Sequence, residues 1–586
     1  MAIFAPTAEQ ARRVCNLIPR QAALTEAFDN GRLIILTSAD AATLALDKTG
    51  GLIIGPVFRG TAPAQRVTHL PPLEAQAIAS SHGQILIDTF WGGYVAVIAS
   101  PDPATVIVLR DPSGAMPCYS YNLTDHITIV VSDVETLWNS GLCSLGIDIP
   151  ALTRLLLAYD LRGAETCLAG LTEVPAGHRL KIGSGIDRLD LCWAPEKYAR
   201  ITPPNDATVL AERLLETTQG VIRAWAGVFD HPLLGVSGGL DSSVIASVLA
   251  STTRPVTLLT MATDEGDGDE RPYTRILGEA LNVPVQEGFH QLDQIDVTRA
   301  TSAHLPRPIL LAFGQSEHTQ KQEIALAEGV DAFFTGVGGD NVFCSMPSVL
   351  PLVDRIRLQG PFSGAWRTAA DLCRLTGCSL PELGRALSKR LFRWHDRPWP
   401  MDLSFLSAAA LNVSAEKFDH PWLQHLSGIP PGKRQHIAML ARIQGTIDGY
   451  SRYDSPLLVN PLLSQPLIEL CLSIPTWAWV NGGRDRAVTR RAFSGQLPAA
   501  LLDRRSKGTP NSFAFEVVDR HRDTIRAHLL DGFLASNSLI DTAAIEQTLT
   551  PGRPLIGFEH MRLATLMEAD VWCRLWQSRR GQAKRL

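Results

Sequence analysis

The sequence predicts a β-rich α+β half followed by an α/β half built on a parallel sheet with helical additions. Three observations predict it. Short apolar runs separated by turn residues fill the chain to about residue 190, strand-patterned and helix-patterned segments alternate from about residue 205, and GVSGGLDSSV (235–244) sets glycines and serines between an apolar run and a helical one. In the first half the strand-like runs are LIIL (33–36), GLIIG (51–55), QILIDTFWGGYVAVIAS (84–100), TVIVLRDPSG (105–114) and HITIVVSD (126–133). Trp193 to Pro204 is polar and proline-rich and reads as a boundary, giving domains at 1–195 and 205–586. Beyond it, Leu210, Leu214, Val221, Ile222 and Trp225 keep helical spacing. PVTLLTM, ERPYTRILGEAL, VPVQEGF, TQKQEIALAEG and DAFFTGV then read as strand, helix, strand, helix, strand, the rhythm of a parallel sheet.

Composition narrows the function. The chain has 586 residues, with 54 Lys and Arg against 59 Asp and Glu, so its net charge is −5 and bulk electrostatics predict neither nucleic-acid nor membrane binding. No stretch reaches the roughly 18 uninterrupted apolar residues of a membrane span, and the start shows no secretory pattern. The expectation is a cytoplasmic protein. Ten cysteines without a CxxC pair offer neither a disulfide framework nor a zinc site, and Cys471 in LIELCLSIP reads as a small buried residue.

The stretch 235–244 carries the chemistry. Leu233, Leu234 and Val236 read as a strand, and Val244, Ile245, Val248 and Leu249 as a helix, so the glycines fall on a strand-to-helix turn. Such a turn presents backbone N–H groups at the positive end of a helix, and Gly238 and Gly239 let the backbone approach an anion. Ser237, Ser242 and Ser243 add hydroxyls, and Leu240 completes the loop. Asp241 is out of place beside a phosphate unless a cation lies between them, which points to Mg²⁺.

The string SGGLDSS resembles the pyrophosphate loop of the ATP pyrophosphatase superfamily. FWGGYVAVI (90–98), RDPSGAMPCY (110–119), LTEVPAGHRL (171–180), TGVGGDNVF (335–343), PLLSQPLIELCLSIP (461–475) and RRSKG (504–508) extend that likeness over the whole chain, which resembles the asparagine synthetase B-like family. Within it, GGDNVFC (338–344) is most similar to the macrolactam-forming cyclases of lasso peptide biosynthesis. The resemblance implies a glutaminase-type Ntn αββα domain followed by an ATP-pyrophosphatase domain, with ATP and Mg²⁺ as cofactors.

It also implies roles. Ser237 to Ser243 would hold the pyrophosphate, Asp241 and Asp340 the Mg²⁺, and Lys507 would neutralise the adenylate and leaving group. Gly336 and Met261 would approach the adenine, with Asp269 and Tyr273 near the nucleotide. Glutamine-hydrolysing relatives expose a cysteine as residue 1. Here Met1 precedes Ala2, and Cys15 lies far along, so no glutaminase activity is expected, and Gly92, Gly93 and Gly114 are read as structural. Val337 stands where the β-lactam-forming branch has Tyr and asparagine synthetase has Glu. The expected reaction is therefore adenylation of an Asp or Glu side chain of a leader-cleaved precursor peptide and capture by that peptide's own N-terminal amine, with a leader peptidase as partner. A β-lactam-type or other small-molecule amide ligase is the alternative. No base for the amine is identified, although Asp454 and Glu469 lie near PLLSQP. From 355 to 397, nine Lys or Arg face three acids, a pattern of solvated helix faces or of a lid over a peptide.

Overall fold

Alternation of side chains with period two builds the first half. The computed structural model describes residues 1–582 apart from 19–23, 48–49, 101, 103, 125, 184–186, 202–205, 264–268, 393–398, 413–419, 452–454 and 506–510. Two six-stranded antiparallel sheets stack. One runs 171–173, 119–124, 127–131, 2–4, 33–38, 24–29 in spatial order, and the other 188–191, 178–182, 106–110, 95–99, 51–54, 43–45. Phe4, Leu33, Ile35 and Val130 from the first sheet meet Leu52, Val95, Val97, Val106 and Val108 from the second. The alternate residues face outward. Ile3, Ile34, Leu36 and Ile129 pack on the helices Ala8–Leu17 and Ile149–Leu157, while Ile53, Ala96, Ile98 and Leu109 pack on Pro72–Ser80 and Gln84–Thr89. This is the expected αββα arrangement. Fully burying each such side chain contributes about 1.5–3 kcal/mol, and a one-residue slip would turn a whole strand's set outward.

One element differs from expectation. Gln84–Thr89, read as strand, is a helix entered from Gly83 at φ +84°, and the strand begins only at Phe90. Six residues are too few to display a helical period, and Ile85, Leu86 and Ile87 mimic a buried strand.

The second half carries a five-stranded parallel sheet in the order 285–289, 257–262, 232–235, 332–334, 457–459. The strands and helices of the predicted βαβαβ run form as expected, and Leu457–Val459 adds a fifth strand. Helices make up most of the remainder, ending with Glu559–Gln582, which meets the first half through Trp576, edge-on to Trp138, and Arg579, paired with Glu135 (2.6 Å). Among the described residues no helix is long and apolar enough to cross a membrane.

The halves are tightly joined. The stretch read as a boundary is docked: Trp193 is buried, donates its indole N–H to Glu469 (2.8 Å) and stacks edge-on against Trp422. The motif glycines of the first half also face this seam. A Cβ on Gly93 would meet Trp225 at 2.7 Å, and one on Gly114 would meet Gln444 at 2.5 Å. Beneath them lies a buried charge cluster, in which Glu173 accepts from Arg110 (2.6 Å), Arg162 (2.8 Å) and Arg307, while Arg162 also pairs with Asp448 (2.8 Å). Burial alone would raise the Glu173 pKa, but the three guanidiniums outweigh it and hold the carboxyl down at about 2.

Candidate active site

Strand order decides where a ligand can sit. The first strand of the parallel sheet, Pro232–Gly235, lies between the second, Thr257–Ala262, and the fourth, Ala332–Phe334, so the chain leaves these neighbours in opposite directions and a crevice opens at their C-terminal ends. The loops after Pro232–Gly235 and Ala332–Phe334 both line a cavity of about 900 Å³ there.

The first loop enters the helix Leu240–Ala250 through Gly238 at φ +58° and Gly239 at the N-cap, where no side chain caps the first turn. Gly238 is needed twice over, since a Cβ there would also lie 2.5 Å from Tyr273 Cβ. The Ser237 N–H donates to Ser242 Oγ (3.3 Å). Ser243 is turned inward: its hydroxyl donates to the Gly239 carbonyl (2.8 Å) and the residue is fully buried. Ser237, Gly239, Leu240, Asp241 and Ser242 line the cavity.

The second loop presses against the first. Gly338, at φ +87°, leads into the short helix Gly339–Val342. A Cβ on Gly336 would meet the Ser242 amide nitrogen at 3.0 Å, and one on Gly339 would overlap the Asp241 carboxyl carbon at 2.3 Å. Glycine is thus what lets Asp340 approach Asp241.

The two carboxylates converge on one nitrogen. Nη1 of Arg486 lies 3.0 Å from Asp241 and 2.6 Å from Asp340, and its Nε binds Asp485 at 2.8 Å. Arg490 braces Asp485 from behind (2.7 Å). Burial opposes the charge of Arg486, yet Asp241, Asp340 and Asp485 together hold its pKa above the ordinary value. Asp241 is mostly buried and Asp340 mostly exposed, so the pair spans the cavity wall from floor to mouth. Among the described residues no cluster of three or more His, Cys, Asp or Glu is placed to hold a metal ion. The two aspartates are the right donors for a hard divalent cation that takes its remaining ligands from phosphate and water. Gly339, where a Cβ would overlap the Asp241 carboxyl, keeps that carboxylate free to serve as such a donor.

Arg504 of the RRSKG stretch closes the loop's other flank. It donates to the Ser237 carbonyl (3.3 Å), pairs with Glu270 (2.8 Å) and lies 3.8 Å above the Tyr273 ring. Lys507 and Asp454 fall outside the described residues. Asp269 pairs with Arg271 and accepts its backbone N–H (3.0 Å), away from the cavity. Met261 does not line the cavity either; it packs beside Leu233, Leu259 and Phe333. Glu469 serves the seam rather than the site. Val337 lines the cavity and is 38% exposed, presenting no ionisable group. Arg486 went unread in the sequence because it sits in an arginine-rich run after Asn-Gly-Gly (481–483) with no spacing to separate it from Arg484, Arg490 and Arg491.

Comparison with known proteins places this geometry in a family. The asparagine synthase family model matches residues 233–577. No curated protein matches the chain. Among solved structures, the allosteric regulatory enzyme of purine biosynthesis is 14% identical over 41% of this chain and 60% of its own, with a TM-score of 0.17. The glutamine phosphoribosylpyrophosphate amidotransferase from B. subtilis, complexed with ADP and GMP, is 11% identical over 58% of this chain and 90% of its own, with a TM-score of 0.21. Because the match of the family model takes in both cavity loops and more than half of the chain, the chain belongs to the asparagine synthase family, whose domain is of the ATP-dependent amide-forming kind.

Proposed function

We propose that the chain is an ATP-dependent macrolactam synthetase of the kind found in lasso peptide biosynthesis. It activates an Asp or Glu side chain of a leader-cleaved peptide as the adenylate and joins it to that peptide's N-terminal amine, releasing AMP and pyrophosphate. The observation that carries the reading is the convergence of Asp241 and Asp340 on a single cationic nitrogen beside an uncapped helix start. That arrangement suits a triphosphate whose leaving pyrophosphate must be held and neutralised. The first-turn amides of Leu240–Ala250 would hold phosphate oxygens, Asp241 and Asp340 would hold Mg²⁺, and Gly336 would admit the nucleotide close to the backbone. When bound there, Mg²⁺ would offset charge on the pyrophosphate. Lys507 adds a second positive charge.

The reading of the amine's source rests on Val337 and Ala2. Val337 supplies no base, and a peptide's terminal amine, with an ordinary pKa near 8, is already partly neutral at pH 7. Ammonia from glutamine is not expected: Ala2 points into the core between the sheets, and the thiol of Cys118, fully buried, is pushed up to about 12 by its burial. The cavity of about 900 Å³ lies near the upper end of the roughly 300–1,000 Å³ typical of small-molecule sites and continues into a second one, leaving room for a peptide beside a nucleotide. The reading includes domains at 1–195 and 205–586, a cytoplasmic setting and a leader peptidase upstream.

The test is mass spectrometry of a linear peptide with a free N-terminus and an Asp or Glu several residues on, incubated with the protein, ATP and Mg²⁺. Loss of one water that disappears when the acidic residue is changed to Ala is the expected result. AMP formation triggered by a free amino-acid-sized acid and not by any peptide would favour the small-molecule ligase instead.

A further inference from the structure

A second cavity, of about 620 Å³, opens beside the first and shares Arg484, Arg490, Leu502 and Asp503 with it. Its walls come from the start of the helix Ala207–Ala226, from Leu350–Gln359 and Ala365–Thr376, and from the segment Thr476–Gly483. Leu210, Ala478, Val488 and Leu502 make one side apolar. The other side is basic and only partly neutralised. Arg484 is matched by Asp503 (2.6 Å) and Arg490 by Asp485 (2.7 Å). Among the described residues Arg355 donates to neutral groups, the Ser363 carbonyl (3.0 Å) and the Thr368 hydroxyl (2.9 Å), and Arg491 donates to the Thr208 hydroxyl (2.7 Å). Arg367, exposed, lies over the ring of its neighbour Trp366, and the one other acid in the wall, Asp371, is paired with Arg374 (3.2 Å).

Trp477, 5% exposed, lines the basic side, its ring centroid 5.9 Å from the Arg355 guanidinium carbon. Burial and the nearby Arg367 depress the Arg355 pKa, and Asp371 only partly offsets them.

We infer that this cavity is a carboxylate-binding subsite for the far end of the substrate, receiving a residue that presents an apolar side chain to the Leu210–Val488 wall and a carboxylate to Arg355 and Arg367. Guanidinium forks match carboxylates in two-pronged geometry, and the apolar wall selects against a bare inorganic anion. The carboxylate belongs either to the peptide's C-terminus or to an acidic side chain. The inference rests on the peptide reading above.

Calorimetric titration of the full-length protein with N-acetylphenylalanine, its amide, N-acetylglutamic acid α-amide and inorganic phosphate tests it. N-acetylphenylalanine is expected to bind at least about tenfold more tightly than its amide, the difference carried by charge-assisted bonds. Arg367→Gln, on the surface, is expected to weaken the acid several-fold while nucleotide affinity and thermal midpoint stay unchanged. Tighter binding of the glutamate amide than of N-acetylphenylalanine would support the subsite and assign it to an acidic side chain. Equal binding of acid and amide, or displacement by phosphate at equal concentration, overturns it. If nucleotide binds and no carboxylate probe does, the subsite fails alone. If the probes bind and no peptide yields AMP, the synthetase reading fails and the subsite stands.

Discussion

Two centres in this molecule use the same chemistry in opposite proportions. At the seam, three guanidiniums, Arg110, Arg162 and Arg307, surround the single carboxylate of Glu173, which is wholly buried. At the cavity, three carboxylates, Asp241, Asp340 and Asp485, surround the single guanidinium of Arg486, and Asp340 is 57% exposed. The seam cluster is closed, so its charges can only hold the halves together. The cavity cluster is open, rests against a glycine loop and carries excess negative charge, which is what the proposed exchange of Arg486 for a divalent cation requires. Identical residue types are structural in one place and reactive in the other because of burial and charge balance.

The largest effect is expected from breaking the closed centre. Glu173→Gln leaves three buried guanidiniums with Asp448 as their remaining acid and should cost about 3–5 kcal/mol, read as a lower denaturant midpoint. A loss under about 1 kcal/mol would mean that the cluster does not join the halves.

The open centre should respond in the opposite way. Asp241→Asn or Asp340→Asn is expected to lower ATP-to-AMP conversion at least ~10²-fold, the loss typical of removing one preorganised electrostatic contact. The thermal midpoint should hardly move, since the carboxylates repel one another across Arg486. Near-normal AMP formation with a lowered midpoint would make this centre structural as well.

Acid titration sharpens the contrast. Glu173 is held at about 2 against an ordinary 4.5, so its contribution is complete above pH 4.5 and lost as pH falls toward 2. Asp111, buried at the same seam with Ser113 and Tyr94 N–H groups as donors, is raised to about 6 by burial. Its sign is reversed: stability from this group is greatest below its ordinary 3.8 and declines as pH rises to about 6. Urea midpoints across pH 2–6 should therefore fall steeply below pH 4.5 in the native chain and less steeply in Glu173→Gln. Equal slopes would contradict the assignment.

The sequence announced the open centre far better than the closed one. Gly238, Gly239 and Asp241 lie within four residues of one another, and Gly336 to Asp340 form a second local string, so each loop was legible where it stood. Strand order then brought the strings together. Arg486 and the Glu173 cluster depend on contacts across hundreds of residues, from Asp241 to Arg486 and from Arg162 to Asp448, which local patterning does not encode. The helix Gln84–Thr89 and the strand Leu457–Val459 escape the sequence pattern for a simpler reason: both are too short for their period to repeat twice.

The central claim is that the cavity centre exchanges Arg486 for a divalent cation, and Mn²⁺ binding followed by electron paramagnetic resonance tests it most directly. With a non-hydrolysable ATP analogue present, the native chain should take up Mn²⁺, Asp241→Asn should bind it at least about tenfold more weakly, and Arg486→Gln should bind it more tightly than the native chain when nucleotide is left out. Unchanged Mn²⁺ affinity in Asp241→Asn, or weaker binding in Arg486→Gln, would contradict the account.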